Sequence, residues 1–352
     1  MKPKFLSFIV LIPAVILIPA VFLLSCCSSE TLIQEILTGT ASPPVFLDCK
    51  AVSSTEISFR FTGPVSMISL NLDPGAEILS VTEGEEILVT LTEPMRTGDR
   101  ITADILVEDE HRNTLNVLVP FRARNSRPPS MLINEVRTIG ASFNDPKKSK
   151  VEFVEFLVKN GGNLGALRLF AASYSLTKPV YEFNPIEVKS GEYIVLHFRQ
   201  PFNECLDEIS DKLDESGGLE AIPNARDLWI PVSQKLLHDT DAIYLVDQDD
   251  RIMDAVLLCE TDGSSWNKAY LAQAADLFAA QGVWFPAGGL EPAAGTYSLA
   301  ASDAVYTAAT TSTRTICRDE TREKGSRPEN WYIANTSRES AGKPNSPDRY
   351  YK

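Results

Sequence analysis

Beyond about residue 41 this chain is written largely in short segments whose apolar residues recur at every second position. That period restricts it to sheets, because side chains of an extended strand point to alternate faces and each segment can bury only one. EISFRF places Ile57, Phe59 and Phe61 on one side, and EILVTL does the same with Ile87, Val89 and Leu91. RITADILV follows with Ile101, Ala103 and Ile105, and NVLVPF with Val117, Val119 and Phe121. Turn signals separate the segments: GP at 63–64, DPG at 73–75, TGD at 97–99 and the polar DEHRN at 109–113. Such strands at regular spacing, with no convincing helix among them, predict a small β-sandwich over 41–125. RNSRPPS at 124–130 then reads as a linker centred on 126–130, since Pro128 and Pro129 favour extended backbone and end pairing.

The segment KVEFVEFLVKN at 150–160 poses a sharper problem. Alternation puts Val151, Phe153, Glu155 and Leu157 on one face, and Glu152, Val154, Phe156 and Val158 on the other. Glu152 lies near the start and can reach water, but Glu155 stands in the middle of a stretch built for burial. An ionised carboxylate there has to be paired, protonated or functional.

The first sandwich resembles the Ig-like domains of bacterial surface proteins. MLINEVRT (131–138) and KVEFVEFLVKNGGNLGALRLFAAS (150–173) resemble the opening strands of the lamin tail domain family, through Ile133, Asn134, Glu135, Phe153, Val154, Glu155, Asn160 and Leu164-Gly165. Later stretches match that family in order: VKSGEYIVLHF (188–198), the hairpin DTDAIYLVDQDDRIMDAVLL (239–258) with Asp254, TSTRTICR (311–318) with Arg314, and NWYIANTSRESAGKPN (330–345). The resemblance implies a mainly β fold of two Ig-like β-sandwiches in tandem, the second lamin-tail-like over 131–347. It also marks Arg314 as the cation on a late strand that could return beside Glu155. Glu155 is therefore expected to be a buried structural acid paired with Arg314, with Arg137 as the second candidate.

This stretch is roughly twice as long as the family's usual domain, and the excess falls at about 201–238 and 260–310. NECLDEISDKLDESGG spaces Leu206, Ile209 and Leu213 helically, and SSWNKAYLAQAADLFAAQG offers Ser264 or Ser265 as N-cap and Gly282 as stop. Trp266, Tyr270, Leu277 and Gln281 would form the stripe of that second helix. Helical insertions are expected at both places.

The N-terminus carries Lys2 and Lys4, a long apolar run and then Leu23-Leu24-Ser25-Cys26. It resembles a bacterial lipoprotein signal over residues 1–25, in which Cys26 is diacylated (palmitate among the acyl groups) and becomes the mature N-terminus. A polar tether over 26–40 follows. An N-terminal transmembrane helix is the plainer alternative, but Pro13, Pro19 and the absence of a basic flank weigh against it. Cleavage with loss of both lysines moves the formal net charge from −14 to −16, which argues against nucleic acid as a partner. Cys27, Cys49, Cys205, Cys259 and Cys317 are scattered and odd in number, so no disulfide framework is indicated, although Cys259 and Cys317 are the pair to test.

Motifs for chemistry are sparse. His111, His197 and His238 stand in no metal or hydrolase pattern, and no cofactor or metal is expected. In DQDDRIMD (247–254) a cation occupies a ligand position of a calcium loop, so a solvated β-turn is expected. The acidic DEISDKLDES reads as a solvated helix face. Trp229, Trp266, Tyr270, Trp284 and Phe285 gather in the insertions and form a candidate binding surface, unless they simply fix the insertions to the sandwich. The sequence thus predicts a non-enzymatic lipoprotein of the cell envelope, anchored to the outer membrane and binding a protein partner there or outside the cell. An accessory or catalytic part of an envelope hydrolase and a surface adhesin are the alternatives.

Overall fold

The structure, a computed structural model, describes residues 43–289, 291–322 and 326–351. The signal, Cys26, Cys27 and the tether lie outside them. The chain divides into two compact units. One comprises residues up to Lys50, Glu56–Glu93 and Ile101–Phe121, and the other Ala51–Thr55, Pro94–Arg100 and the chain from Arg122 onward.

The first unit holds β1 (Phe46–Ala51), β2 (Glu56–Asp73), β3 (Ile78–Thr82), β4 (Gly84–Leu91), β5 (Arg100–Glu108) and β6 (Thr114–Arg122). Their order is β3-β4-β2-β5-β6, with β1 also on β2. Ile57, Phe59, Phe61, Ile87, Val89, Leu91, Ile101, Ala103 and Ile105 are all buried, as their period-two spacing requires. In β6 the inward row is weaker: Phe121 is buried, whereas Val117 and Val119 are half-buried. Gly63-Pro64, read from sequence as a turn, instead lies inside β2. That strand pairs with β4 over Glu56–Arg60 and with β5 over Ser66–Asp73, and its register breaks in between. A proline has no N–H to donate, so it is tolerated where a ladder is interrupted.

The second unit contains β7 (Ser130–Arg137), β8 (Phe153–Asn160), β9 (Gly162–Asn163), β10 (Arg168–Ala171), β11 (Tyr181–Glu182), β12 (Glu187–Val188) and β13 (Tyr193–His197). It continues with β14 (Ala225–Trp229), β15 (Asp241–Val246), β16 (Ile252–Cys259), β17 (Val305–Tyr306), β18 (Ile316–Arg318) and β19 (Trp331–Ile333). One sheet runs β11-β10-β15-β16-β17 and the other β14-β13-β8-β7-β18-β19, beside a small β12-β9 ladder. Ile133, Val154, Phe156, Ile194 and Leu196 of the six-stranded sheet share one core with Leu169, Leu245 and Val256 of the other. The fold is a mainly β sandwich, and the alternation read in β8 is the one observed.

The insertions behave differently from each other. In the second, a helix does form, over Ala269–Gln281. Its N-cap is Lys268 rather than Ser264 or Ser265, and Gly282 closes it at φ 66° with its N–H on Ala279 O. The buried face is Leu271, Ala274, Ala275, Phe278 and Ala279, so Tyr270 and Leu277 lie at its margin rather than at its centre. This helix covers β15 and β16. That is why β15 (DAIYLV) is buried at every position.

In the first insertion the described backbone over 201–224 contains no helix, contrary to the spacing of Leu206, Ile209 and Leu213. Leu206 and Ile209 are exposed. The reason lies in the acidic residues between them. Asp207 Oδ1 accepts the N–H of Trp229 at 2.7 Å, and Glu208 Oε2 accepts that of Asp227 at 2.8 Å. Both donors belong to β14, the edge strand that this insertion adds to the sheet in parallel with β13. An extended segment can satisfy such an edge where a helix would turn its carboxylates away.

Candidate functional site

Register across the six-stranded sheet aligns Tyr332, Cys317, Glu135, Glu155, Val195 and Asp227 in one row. Directly opposed residues share a face. This row lies on the side away from the main core, where Ala341 and Ile222 pack with Phe153, Val195 and Ala225. At the centre of the row Glu135 and Glu155 are both 0% exposed. Ser340 N lies 3.1 Å from both Glu135 oxygens, and Ser340 Oγ 2.8 Å from Oε2. Asn134 Nδ2 donates to Glu155 Oε1 at 2.9 Å, and Gly342 N donates to Oε2. Burial pushes both carboxyls up, and the neighbouring Glu135 raises Glu155 further.

Glu155 is thus buried as expected, but Arg314 is not its partner. Arg314 sits in the tight turn before β18, half-buried, with its guanidinium 3.9 Å from the Tyr350 ring centre and its Nε on Thr336. Arg137, the second candidate, pairs with Glu220 and lies 3.5 Å from Glu339. The buried fork belongs to Arg318, whose alternation with Ile316 turns it between the sheets. Its Nε donates to Ile133 O at 2.6 Å, and its Nη2 meets Asp254, which also accepts the Ile133 N–H at 2.6 Å. Desolvation nevertheless raises the Asp254 carboxyl, against the pull of Arg318.

On the same outer face, His197 Nε2 lies 2.7 Å from Asp227 Oδ1 and the imidazole stacks on Trp229 with ring centres 3.8 Å apart. Both members are buried, which seals the pair from substrate. An open cavity of about 330 Å³ lies nearby, walled by Lys150, Glu220, Glu339 and Lys343 with Leu219, Ile222 and Ala341. Glu220 and Glu339 are the partners of buried Arg137, whose Nε has no hydrogen-bond partner of its own. The wall offers two ammonium groups and two carboxylates and no histidine, cysteine or serine. Both carboxylates are already engaged, Glu220 by Arg137 and Glu339 by Lys150.

The aromatic residues do not gather into a binding surface. Trp229 is on β14, Tyr270 is in the helix and Trp266, Trp284 and Phe285 flank it, and each is buried or half-buried. Trp266 donates to Leu299 O, Tyr270 to Thr240 O and Trp284 to Asp303 O, at 3.2, 2.9 and 2.7 Å. Tyr270 thereby ties the helix to the sandwich at Thr240, whereas the Trp266 and Trp284 bonds close within the second insertion. Cys259 and Cys317 are free and buried rather than bridged. Among the described residues no group of three or more acidic, histidine or cysteine side chains could hold a metal. Residues 247–251 form the turn between β15 and β16, with Asp247 Oδ1 accepting the N–H groups of Asp249 and Arg251, whereas Ile252–Asp254, expected in the same solvated turn, belong to β16 and Asp254 is buried.

Among solved structures, the N-terminal part of the bacterial S-layer protein SbsC is 20% identical, covers 40% of this chain and 37% of its own, and has a TM-score of 0.24. A DUF4876 family protein from Bacteroides thetaiotaomicron is 11% identical, covers 86% of this chain and 95% of its own, at a TM-score of 0.25. An uncharacterized protein of Treponema pallidum (strain Nichols) is 29% identical over 181 residues, half of this chain and 44% of that relative. The chain therefore spans less than half the length of that relative. Residues 129–333 match the family model described as a protein second domain, and with more than half its length inside that match the chain belongs to this family.

Proposed function

We propose that this chain is a cell-envelope lipoprotein, held in the outer membrane through a diacylated Cys26, and that its lamin-tail-like sandwich serves as a binding or structural module. The observation that carries this reading is the N-terminal sequence: an apolar run ending in Leu23-Leu24-Ser25-Cys26, with about twenty residues between that cysteine and β1. Such a stretch has the reach to hold a domain clear of a lipid surface. The ion-lined cavity at Lys150, Glu220, Glu339 and Lys343 supports the binding role. Labelled fatty acid should be incorporated into the full chain, and Cys26→Ala should abolish incorporation and leave unprocessed precursor. Undiminished labelling of that variant would refute the anchor.

A further inference from the structure

Three of the buried side-chain atoms without a hydrogen-bond partner among the described residues belong to two neighbours, Arg137 and Glu339. Arg137 gives its Nη1 to Glu220, which leaves Nε and Nη2 unmatched. Those two nitrogens form the edge by which an arginine grips a carboxylate with two parallel N–H groups. Arg199 uses that same edge on Glu152, at 2.7 and 3.2 Å. Glu339 Oε1 stands 3.5 Å from Arg137 Nη2 but is held by Lys150, and Glu339 Oε2 is unmatched. We propose that Glu339 holds the place of a ligand carboxylate on Lys150: an apolar acid entering the cavity takes Lys150 and Lys343, and Glu339 moves onto the open edge of Arg137.

Counting donors and acceptors favours the exchange. While Glu339 serves Lys150, three polar atoms go unmet. On the Arg137 edge Glu339 uses both oxygens and both unmatched nitrogens, and the ligand meets the ammonium that Glu339 released. Access points the same way. Arg137 is 0% exposed, so only a side chain already beside it reaches its edge, whereas Lys150 and Glu339 are each 20% exposed and line the cavity. Lys343, on the same wall, is exposed.

The charges select an anion. Arg137, Lys150 and Lys343 stand against Glu220 and Glu339, three cations to two carboxylates, which leaves one positive charge in excess. Glu339 is ionised for its role: burial opposes the charge, but Lys150 and Arg137 hold the carboxyl below the ordinary glutamate range. The rest of the wall is apolar, with Leu219 half exposed beside Ile222 and Ala341, and the cavity of about 330 Å³ is small. The ligand is therefore a carboxylate beside a small apolar group, the chemistry shared by the C-terminal residue of a peptide and a short branched acid. This deepens the binding role proposed above and draws nothing from the Cys26 anchor.

The test titrates the full chain in detergent, by calorimetry, with N-acetyl-leucine, 4-methylpentanoate, N-acetylleucinamide and inorganic phosphate. At least one of the two acids should bind, the tighter naming the source, and the amide should bind about tenfold more weakly because it offers Lys150 no charge. Lys343→Gln should weaken the acid by up to about fivefold, and Glu339→Gln should tighten it by about as much, since the internal competitor is gone. Lys150→Gln should erase the preference for acid over amide yet melt close to the parent, because Glu339 then falls back on Arg137. Equal binding of acid and amide would keep a binding module but overturn the exchange. No binding of either acid, tighter binding of phosphate, or weaker binding by Glu339→Gln would overturn it as well. Acylation of Cys26 is untouched by any of these results, so failure of the exchange and failure of the anchor are read separately.

Discussion

Arg314 and Arg318 lie on the same short stretch, and their environments predict very different costs of removal. Arg318 is 3% exposed and holds both the Asp254 carboxylate and the backbone of Ile133. Arg318→Ala would strand Asp254 in the core, and loss of one partner of a buried pair costs about 3–5 kcal/mol. Arg314 stacks on Tyr350 at the surface side of its turn, so Arg314→Ala should cost under about 1 kcal/mol. Urea denaturation of the two variants checks this, and equal costs would contradict the assignment of the buried fork to Arg318. Desolvation raises the Asp254 carboxyl, so Asp254 contributes a stability that falls as pH rises above the ordinary aspartate range.

Among elements, β14 depends most on residues outside itself. Its outer edge donors, the N–H groups of Asp227 and Trp229, end on Glu208 and Asp207. Glu208 is 1% exposed and also accepts from Glu215 and Ser216, so it ties the insertion to the strand. Glu208→Ala should cost about 1–3 kcal/mol, the penalty for leaving buried donors unmet. Hydrogen exchange should quicken at Asp227 before it changes in β8, which has β7 and β13 on its two sides. Unchanged protection at Asp227 would show that the carboxylate does not hold this edge. The helix Ala269–Gln281 needs no such device, since its alanine-rich face packs directly on β15 and β16.

For the whole molecule, a cut after Phe121 separates the two units except for Ala51–Thr55 and Pro94–Arg100, which the second unit gives up, and fragments of residues 41–121 and 122–352 should each melt cooperatively. The choice of 122 rather than 129 is specific. Asn125 is 2% exposed, donates to Asn163 O at 2.7 Å and Gly165 O at 2.8 Å, and accepts the Arg127 N–H. A fragment starting at 129 loses these bonds and should be less stable than the 122 fragment by about 1–3 kcal/mol in calorimetry or urea titration. Equal stability of the two fragments would return the boundary to the Pro128-Pro129 pair.

What the sequence determined was periodic. The inward rows of β2, β4 and β5, the two faces of β8 and the β15–β16 hairpin follow from which residues can share a buried face, a property carried within a few neighbouring positions. Gly282 likewise stops its helix for a local reason, its left-handed φ. The tertiary structure decided what local spacing does not encode. Leu206, Ile209 and Leu213 have helical spacing, yet edge donors distant in sequence claimed the carboxylates between them. Glu155 was legible as a buried acid because its strand is apolar on both sides of it. Its partners were not, since Asn134 reaches it from the next strand and Gly342 from 187 positions along the chain. A charge buried in a sheet is satisfied by whichever donors the fold brings over it, and sequence order places no bound on how far away those begin.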